Sequence, residues 1–462
     1  MKLRPLLFAV CFVLLADCRH NLAPSATLEA SAERTMAGEV VSFLARAQDA
    51  ELESCSVRFA WGEGDTSGWS EFRSRFDEFT ASHAWADSGH FIIKVQARDE
   101  SGHESEWLGG IRLVVLDSSI VRWVAVVGHA EVSCPAIAPD GTVYVSAGYG
   151  IVAVDPDGTG LRQVGPWGNG IGSVAVAEDG TVYAAYWDCL RAFNPDGSVK
   201  WVDSVGTYDL HSPAIGPDGT VYACDYDTAV AIEPDGVVKW RTGLDGRIRG
   251  SPVVARDGTI VFLTHSTDAV CALDPDGNRK WTAYIGSVKW LSIDADDSYC
   301  AVGNGVTWLG VDGAVLRQLG NFPSAEGPAI IRNNGDILVS SYSELLVIHP
   351  DRTWEHVTGG WHPGLAAAVD GAGDIYFGNN IETGGGPYYN SVVCLDSSLA
   401  RKWSIEYAGQ IRTAPSVARD GTVYAVTSDG CLYALKGTPL SESAPWPKFG
   451  HDSRNTGCAV AH

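Results

Sequence analysis

A motif of the type Pro-Ala-Ile-x-x-Asp-Gly-Thr-Val-Tyr recurs from residue 135 to residue 424, and this periodicity constrains the fold more than any other feature of the chain. Its turn glycines Gly141, Gly180, Gly219 and Gly258 stand 39 residues apart, and a further step of 39 falls on Asp297, where the pattern persists without glycine. Steps of 38 then reach Gly335 and Gly373, and a step of 48, which contains an insertion from Asn379 to Asn390, reaches Gly421. The chain therefore holds eight copies. Each reads as four short strands joined by tight turns, as in residues 135 to 164: Pro-Ala-Ile-Ala, Thr-Val-Tyr-Val, Ile-Val-Ala-Val and Leu-Arg-Gln-Val. One such unit cannot bury both faces alone, so the expected fold is all-β: an eight-bladed β-propeller with four antiparallel strands per blade.

Two local features sharpen this expectation. Glycine in the Asp-Gly turns reaches positive φ at little steric cost and so sets hairpin register, which makes Asp297 a strained residue. The last copy ends its third strand at Leu432-Tyr433-Ala434-Leu435 without an ordinary fourth strand, while Ile120-Val121-Arg122-Trp123 precedes the first copy as an unmatched one. Residues 119–125 are therefore expected to pair with 431–436 and close the ring, giving a propeller over 119–458. Residues 26–118 carry alternating segments such as His90-Phe-Ile-Ile-Lys-Val-Gln-Ala-Arg-Asp99, which predict a separate small β-sandwich.

Thirty-three basic against 56 acidic residues give a net charge of -23, which repels phosphate backbones and excludes nucleic acid as an expected partner. The N-terminus runs from Met-Lys-Leu-Arg into an apolar stretch, Pro5 to Leu15, too short to span a bilayer, so residues 1–18 read as an export signal. Leu14-Leu15-Ala16-Asp17-Cys18 resembles a bacterial lipoprotein cleavage box with Cys18 as the lipidated residue. Asp17 departs from the small residue usual at that place, so lipid anchoring and simple secretion both stay open. The chain is expected in the periplasm, at the cell surface or secreted, as a monomer that meets a membrane only through such an anchor. Nine further cysteines include no Cys-x-x-Cys pair, so buried thiols are expected rather than a zinc site, a redox motif or a disulfide framework.

Ser-Pro-Ala-Ile-Gly-Pro-Asp-Gly-Thr-Val-Tyr-Ala (212–223) and Val-Val-Lys-Trp (237–240) resemble the pyrroloquinoline-quinone-like (PQQ-like) propeller repeat family. The resemblance covers residues 119–458, including Trp446 to Gly457, and implies structural docking tryptophans at Trp123, Trp201, Trp240, Trp281 and Trp403. Copies five and six lack that tryptophan, with Gln318 and His356 near its place. Trp61-Gly-Glu-Gly64, His83-Ala-Trp85, Gly89-His-Phe91 and Ala97-Arg-Asp99 resemble the polycystic-kidney-disease (PKD) type of immunoglobulin-like sandwich, with a fibronectin-type sandwich as the alternative.

The family name invites a quinone-dependent dehydrogenase, yet the adjacent cysteines shared by such enzymes are missing, so no cofactor is expected. Asp-Pro-Asp-Gly at 155–158 and 274–277 reads as hairpin corners rather than calcium loops, so no metal is expected either. The loops opposite the Asp-Gly turns form the candidate ligand-binding face. They contribute Tyr149, Tyr186, Trp187 and Tyr226, with Tyr342, Tyr388 and Tyr389 further along. Around the channel mouth stand His211, Arg249, Lys289, His362 and Arg412, with Ser133, Glu326 and Thr413 in the same ring. No residue is marked as a nucleophile or other catalytic group. The reading is a non-catalytic exported or cell-surface binding protein or scaffold for a protein or glycan partner; the alternative is a carbohydrate-active lyase or hydrolase on the same face. The insertion 379–390 is a candidate functional segment on that face.

Overall fold

The computed structural model describes residues 22–459 except 75, 129–132, 148–149, 167–171, 187–188, 205–210, 266–267, 321–324, 342–343, 352, 358–365, 382–388, 408–409, 412, 440–449 and 453. The chain divides into two compact units, Met1–Ser118 and Ser119–His462.

In the first unit, Val40–Gln48 alternates buried and exposed side chains and pairs with Ser25–Ala30 on one side and Glu78–Ala84 on the other. A second sheet orders Arg34–Met36, Leu108–Leu116, Gly89–Asp99 and Cys55–Ala60. Phe43 and Ala45 from one sheet and Val57, Ile93 and Leu113 from the other share a single core, so the unit is a two-sheet sandwich. The motif residues read from the sequence meet inside it. Trp61 stacks on Phe59 (5.4 Å between centroids, 3°) and on His83 (4.7 Å, 6°), and the Trp85 indole donates to the Trp61 carbonyl at 3.2 Å.

The second unit is a succession of four-stranded antiparallel sheets, consistent with a β-propeller. In the first, Ala136–Ile137, Val143–Ala147, Gly150–Val154 and Leu161–Val164 neighbour one another in chain order. The same order repeats over 175–203, 214–243, 248–284, 288–320, 330–357 and 368–407. The last sheet departs from it: Ser416–Val417, Thr422–Val426 and Cys431–Lys436 take Val121–Val126 as their fourth strand, through pairs that include Leu432 with Ala125 and Ala434 with Trp123. The two ends of the unit are thus joined by a β-ladder, as the unmatched strands in the sequence required.

The turns explain the period. Gly141 N–H donates to the Ala138 carbonyl at 2.9 Å with φ +86°, and Gly180, Gly219 and Gly258 repeat that bond with φ between +79° and +83°. Asp297 makes the same bond with φ +63°, a conformation costly for a residue with a Cβ. Asp297→Gly is expected to be neutral or to stabilise by up to about 1 kcal/mol, tempered by loss of the half-exposed Arg256 contact at 3.4 Å. A clear fall in the denaturation midpoint contradicts the strain assignment.

Between neighbouring sheets the tryptophans dock as the family resemblance implies. The Trp123, Trp201, Trp240 and Trp281 indoles donate to the carbonyls of Pro156, Pro234, Pro275 and Val311 at 2.8–3.0 Å. Each ring lies over the next sheet's turn glycine: a Cβ on Gly236 would stand 2.7 Å from Trp201, and one on Gly277 2.6 Å from Trp240. Trp403 packs on Tyr376 of its own sheet. Two expected stand-ins need correction. The ladder sets Arg317, not Gln318, at the tryptophan place of the fifth repeat, where its guanidinium lies 3.6 Å over the Trp308 ring, so the aromatic has moved to the third strand. In the sixth, Val347 faces Glu355 while His356 faces Leu346, because the one-residue bulge that precedes the tryptophan in sheets such as those of Trp240 and Trp281 is missing.

The described C-terminal tail runs along the first strands of several sheets. Val176, Ile215 and Val254 donate backbone N–H groups to the carbonyls of Arg454, Thr456 and Gly457 at 2.8–2.9 Å. Arg454 pairs with Glu178 at 2.7 Å, and the Asn455 amide reaches the carbonyls of Cys134, Pro135 and Val174 at 3.2–3.3 Å. These bonds satisfy strand edges that would otherwise face the axis unpaired.

Candidate functional site at the channel mouth

Because each repeat enters its first strand at the same point, the residues just before that strand form a ring. The structure brings Ser133, His211, Arg249, Lys289, Glu326 and Thr413 of that ring to one cavity of about 440 Å³. Cys134, Ser173, Ser212, Ser251 and Trp290, one position further on in their repeats, line it too. The volume falls within the ~300–1,000 Å³ typical of small-molecule sites. Asn455 and Gly457 of the tail line a recess of about 40 Å³ together with Ser212, Ser251 and Trp290.

The charges at this mouth are disposed in a definite way. Lys289 Nζ lies 3.7 Å from a Glu326 carboxylate oxygen, a pair that is neutral as a unit. The Gly250 N–H donates to His211 Nε2 at 3.2 Å, which requires that nitrogen to be unprotonated and holds the imidazole neutral while the bond exists. Arg249 sits half-buried near the start of the strand Ile248–Val254, where the ladder to Ile260–Thr264 is interrupted after Arg249. Its side chain makes no hydrogen bond or ion pair among the described residues. Thr413 is 2% exposed, and its hydroxyl likewise has no partner among them.

The aromatic face expected from the loops is only partly described. Tyr226 is 52% exposed between Val221–Asp225 and Thr228–Ile232; its carbonyl accepts the Ile248 N–H at 2.6 Å and its ring lies 5.4 Å from the Arg247 guanidinium, which sets it beside the strand that carries Arg249. Tyr186 requires correction. It is the last residue of the strand Val182–Tyr186, 1% exposed, with the Arg191 guanidinium 4.2 Å over its ring, and burial pushes its phenol up to about 12. Even-numbered positions of that strand face one blade-to-blade core with Phe193, so Tyr186 is packing material, not a surface contact. Tyr149, Trp187, Tyr342, His362, Tyr388 and Arg412 lie outside the described residues, as does Cys18. Tyr389 begins the strand Tyr389–Leu395 opposite Ile381, so the insertion prolongs both strands of that pair; residues 382–388 lie outside the described residues.

The Asp-Pro-Asp-Gly segments at 155–158 and 274–277, read from the sequence as hairpin corners, are turns. Asp155 accepts the Gly158 N–H through its carbonyl at 2.8 Å, and the Asp157 carboxylate accepts the Thr159 N–H at 3.0 Å, a bond that lowers its pKa. All nine cysteines in the described residues are buried thiols without a disulfide; burial raises Cys55 to about 11 and Cys394 to about 12, which removes thiolate reactivity near neutral pH. Sequence reasoning missed one cluster in the first unit: Glu63, Asp65 and His83 each offer a ligand atom, all within 4.8 Å of one another. The turn Trp61-Gly-Glu-Gly-Asp65, with positive φ at Gly62 and Gly64, carries both carboxylates and was the available signal.

Residues 188–307 match the PQQ_2 family model, described as outer membrane protein assembly factor BamB. Among solved structures, the chain is similar to the PKD domain of an M14-like peptidase from Thermoplasmatales archaeon SCGC AB-540-F20, at 22% identity over 20% of this chain and 92% of that one, with a TM-score of 0.18. It is similar to a protein of unknown function from Bacteroides caccae at 16% identity over 58% of this chain and 94% of that one, with a TM-score of 0.38. A third similar structure is BBS1N in a complex with ARL6DN soaked with lead, at 12% identity over 60% of this chain and 94% of that one, with a TM-score of 0.44. No curated protein matches the chain. With its recurring turn glycines, its docked tryptophans and the matched segment, the chain carries PQQ-like, BamB-like β-propeller repeats.

Proposed function

We propose that this chain is an exported, non-catalytic binding protein, an eight-bladed propeller behind a PKD-like sandwich, which takes a protein or glycan partner at the mouth of its axis. The observation that carries this reading is the convergence of His211, Arg249, Lys289 and Thr413 from four repeats on one cavity, with Arg249 and Thr413 lacking partners among the described residues. Arg249 lines a cavity large enough for a small ligand and has no partner among the described residues, and a bound anionic group would pair with it. Eight four-stranded sheets and the ladder between Val121–Val126 and Cys431–Lys436 support the closed eight-bladed ring. The apolar run Pro5 to Leu15 behind a basic start supports export, to the periplasm, cell surface or medium.

The alternative of a lyase or hydrolase needs a paired acid and base on the reacting bond. Among the described lining residues Glu326 is the one carboxylate, and it faces Lys289, which favours binding over catalysis. A glycan-array and cell-envelope pull-down screen of the full chain beside Arg249→Ala/Lys289→Ala tests the proposal. Partners captured by the parent and lost by the variant are expected; partners retained equally by both remove the cavity from the binding site.

A further inference from the structure

Resting on the reading of the axial cavity as a binding site, we infer that its ligand is a hydroxyl-rich monoanion, a hexuronate residue of an acidic glycan. The charge argument gives the anion. Lys289 and Glu326 neutralise one another at 3.7 Å and His211 is neutral while it accepts the Gly250 N–H, so Arg249 supplies the one uncompensated formal charge among the described lining residues. A planar guanidinium with five donors, half-buried on a strand, pairs bidentately with a carboxylate, and a single charge suits that group better than a dianionic phosphomonoester.

The remainder of the lining gives the hydroxyls. Ser173 and Ser133 already accept backbone N–H groups, from Cys134 at 3.2 Å and Ser146 at 3.0 Å, so their own O–H bonds remain as donors. Thr413 lines the same cavity, but its Oγ1 is closed off from it, so the hydroxyls available to a ligand are those of the serines. Half-buried Trp290 adds a flat apolar wall of the sort on which the C–H face of a pyranose rests. An acidic peptide bound by strand addition calls for a free strand edge, and the first strands next to this cavity are occupied, Ile215 by Thr456 and Val254 by Gly457 of the tail.

The test is calorimetric titration of the full chain with sodium glucuronate and sodium galacturonate, beside glucose and galactose as neutral counterparts, acetate as a bare carboxylate and triglutamate as an acidic peptide. At least one uronate is expected to bind about 10-fold or more tightly than its neutral sugar and than acetate. Arg249→Gln is expected to weaken that binding by about 10- to 100-fold, the worth of a charge-assisted hydrogen-bond pair, without lowering the melting temperature. Thr413→Val serves as the control: it removes a buried hydroxyl that is closed off from the cavity, so uronate binding is expected to stay unchanged and the melting temperature to be equal or higher. Uronates binding no better than neutral sugars, or binding unchanged in Arg249→Gln, overturns the inference. If triglutamate or a neutral glycan binds in an Arg249-dependent way, the ligand class falls and the binding site stands; if no ligand in the panel or the wider screen depends on Arg249 or Lys289, both fall.

Discussion

Deleting residues 119–126 should convert the unfolding of Ser119–His462 from one steep transition into a broad one, with a stability loss of more than about 5 kcal/mol. The deletion removes five ladder partners of Cys431–Lys436, each worth about 0.5–1.5 kcal/mol net, and the Trp123 side chain that docks on Gly158 and donates to Pro156. It also removes Val121, which is fully buried, and leaves the strand Cys431–Lys436 as an open edge exposed to association with other chains. Urea titration followed by both tryptophan fluorescence and far-ultraviolet circular dichroism is the check, because coincident curves mark a single cooperative unit. Retention of one steep transition at the parental midpoint would show that the ladder closes nothing of consequence.

Asn455→Ala is expected to cost about 2–4 kcal/mol, a large effect for a residue far from any sheet centre in sequence. Its side chain is 2% exposed, and its amide bridges carbonyls that belong to two successive repeats, Cys134 and Pro135 on one side and Val174 on the other. Truncation leaves buried acceptors short of donors and opens a void between the tail and the sheets. Asn455 also adopts φ +57°, which asparagine tolerates better than alanine. Asn455→Gly separates the two contributions: it relieves the backbone and still loses the amide, so it should remain destabilised by most of the same amount. Asn455→Asp should be at least as harmful, since it points a carboxylate at three carbonyl oxygens. Wild-type stability in all three variants would mean that the tail lies on the sheets without holding them.

The fold was legible to the extent that backbone stereochemistry leaves a mark on sequence. Positive φ selects glycine, so Gly141, Gly180, Gly219 and Gly258 exposed the period, and their common spacing pointed to Asp297 as the strained exception. Tryptophans that dock on turn glycines were equally visible, because they recur at one place in most repeats. What failed was register. The one-residue bulge before the tryptophan is a hydrogen-bonding event with no residue signature of its own, so its absence from the sixth repeat put His356 where the ladder puts Glu355; the fifth repeat keeps the bulge, and a count of four from Gly313, as from Gly236 to Trp240, reaches Arg317 rather than Gln318.

The candidate site was legible as a ring and illegible as a set of contacts. His211, Arg249 and Lys289 were read from position within the repeat, and position within the repeat is a property that radial stacking preserves. Tyr186 was misjudged because the loop was taken to begin one residue too early; at the end of the strand Val182–Tyr186 its ring turns into the core beside Phe193. That Thr413 has a buried hydroxyl without a partner, or that Lys289 and Glu326 cancel, depends on distances between repeats that no single repeat encodes. The role of the tail was hidden for the same reason, since Arg454 to Gly457 make their bonds with residues about 200 to 320 positions earlier.

The most direct test of the central claim is a crystal structure of the full chain grown with glucuronate. The sugar is expected at the axial mouth, its carboxylate at roughly 2.7–3.0 Å from the Arg249 guanidinium and a sugar hydroxyl within hydrogen-bond reach of Ser133 or Ser173. A well-ordered structure with the sugar bound elsewhere, or with the cavity filled by water alone at saturating ligand, would contradict it.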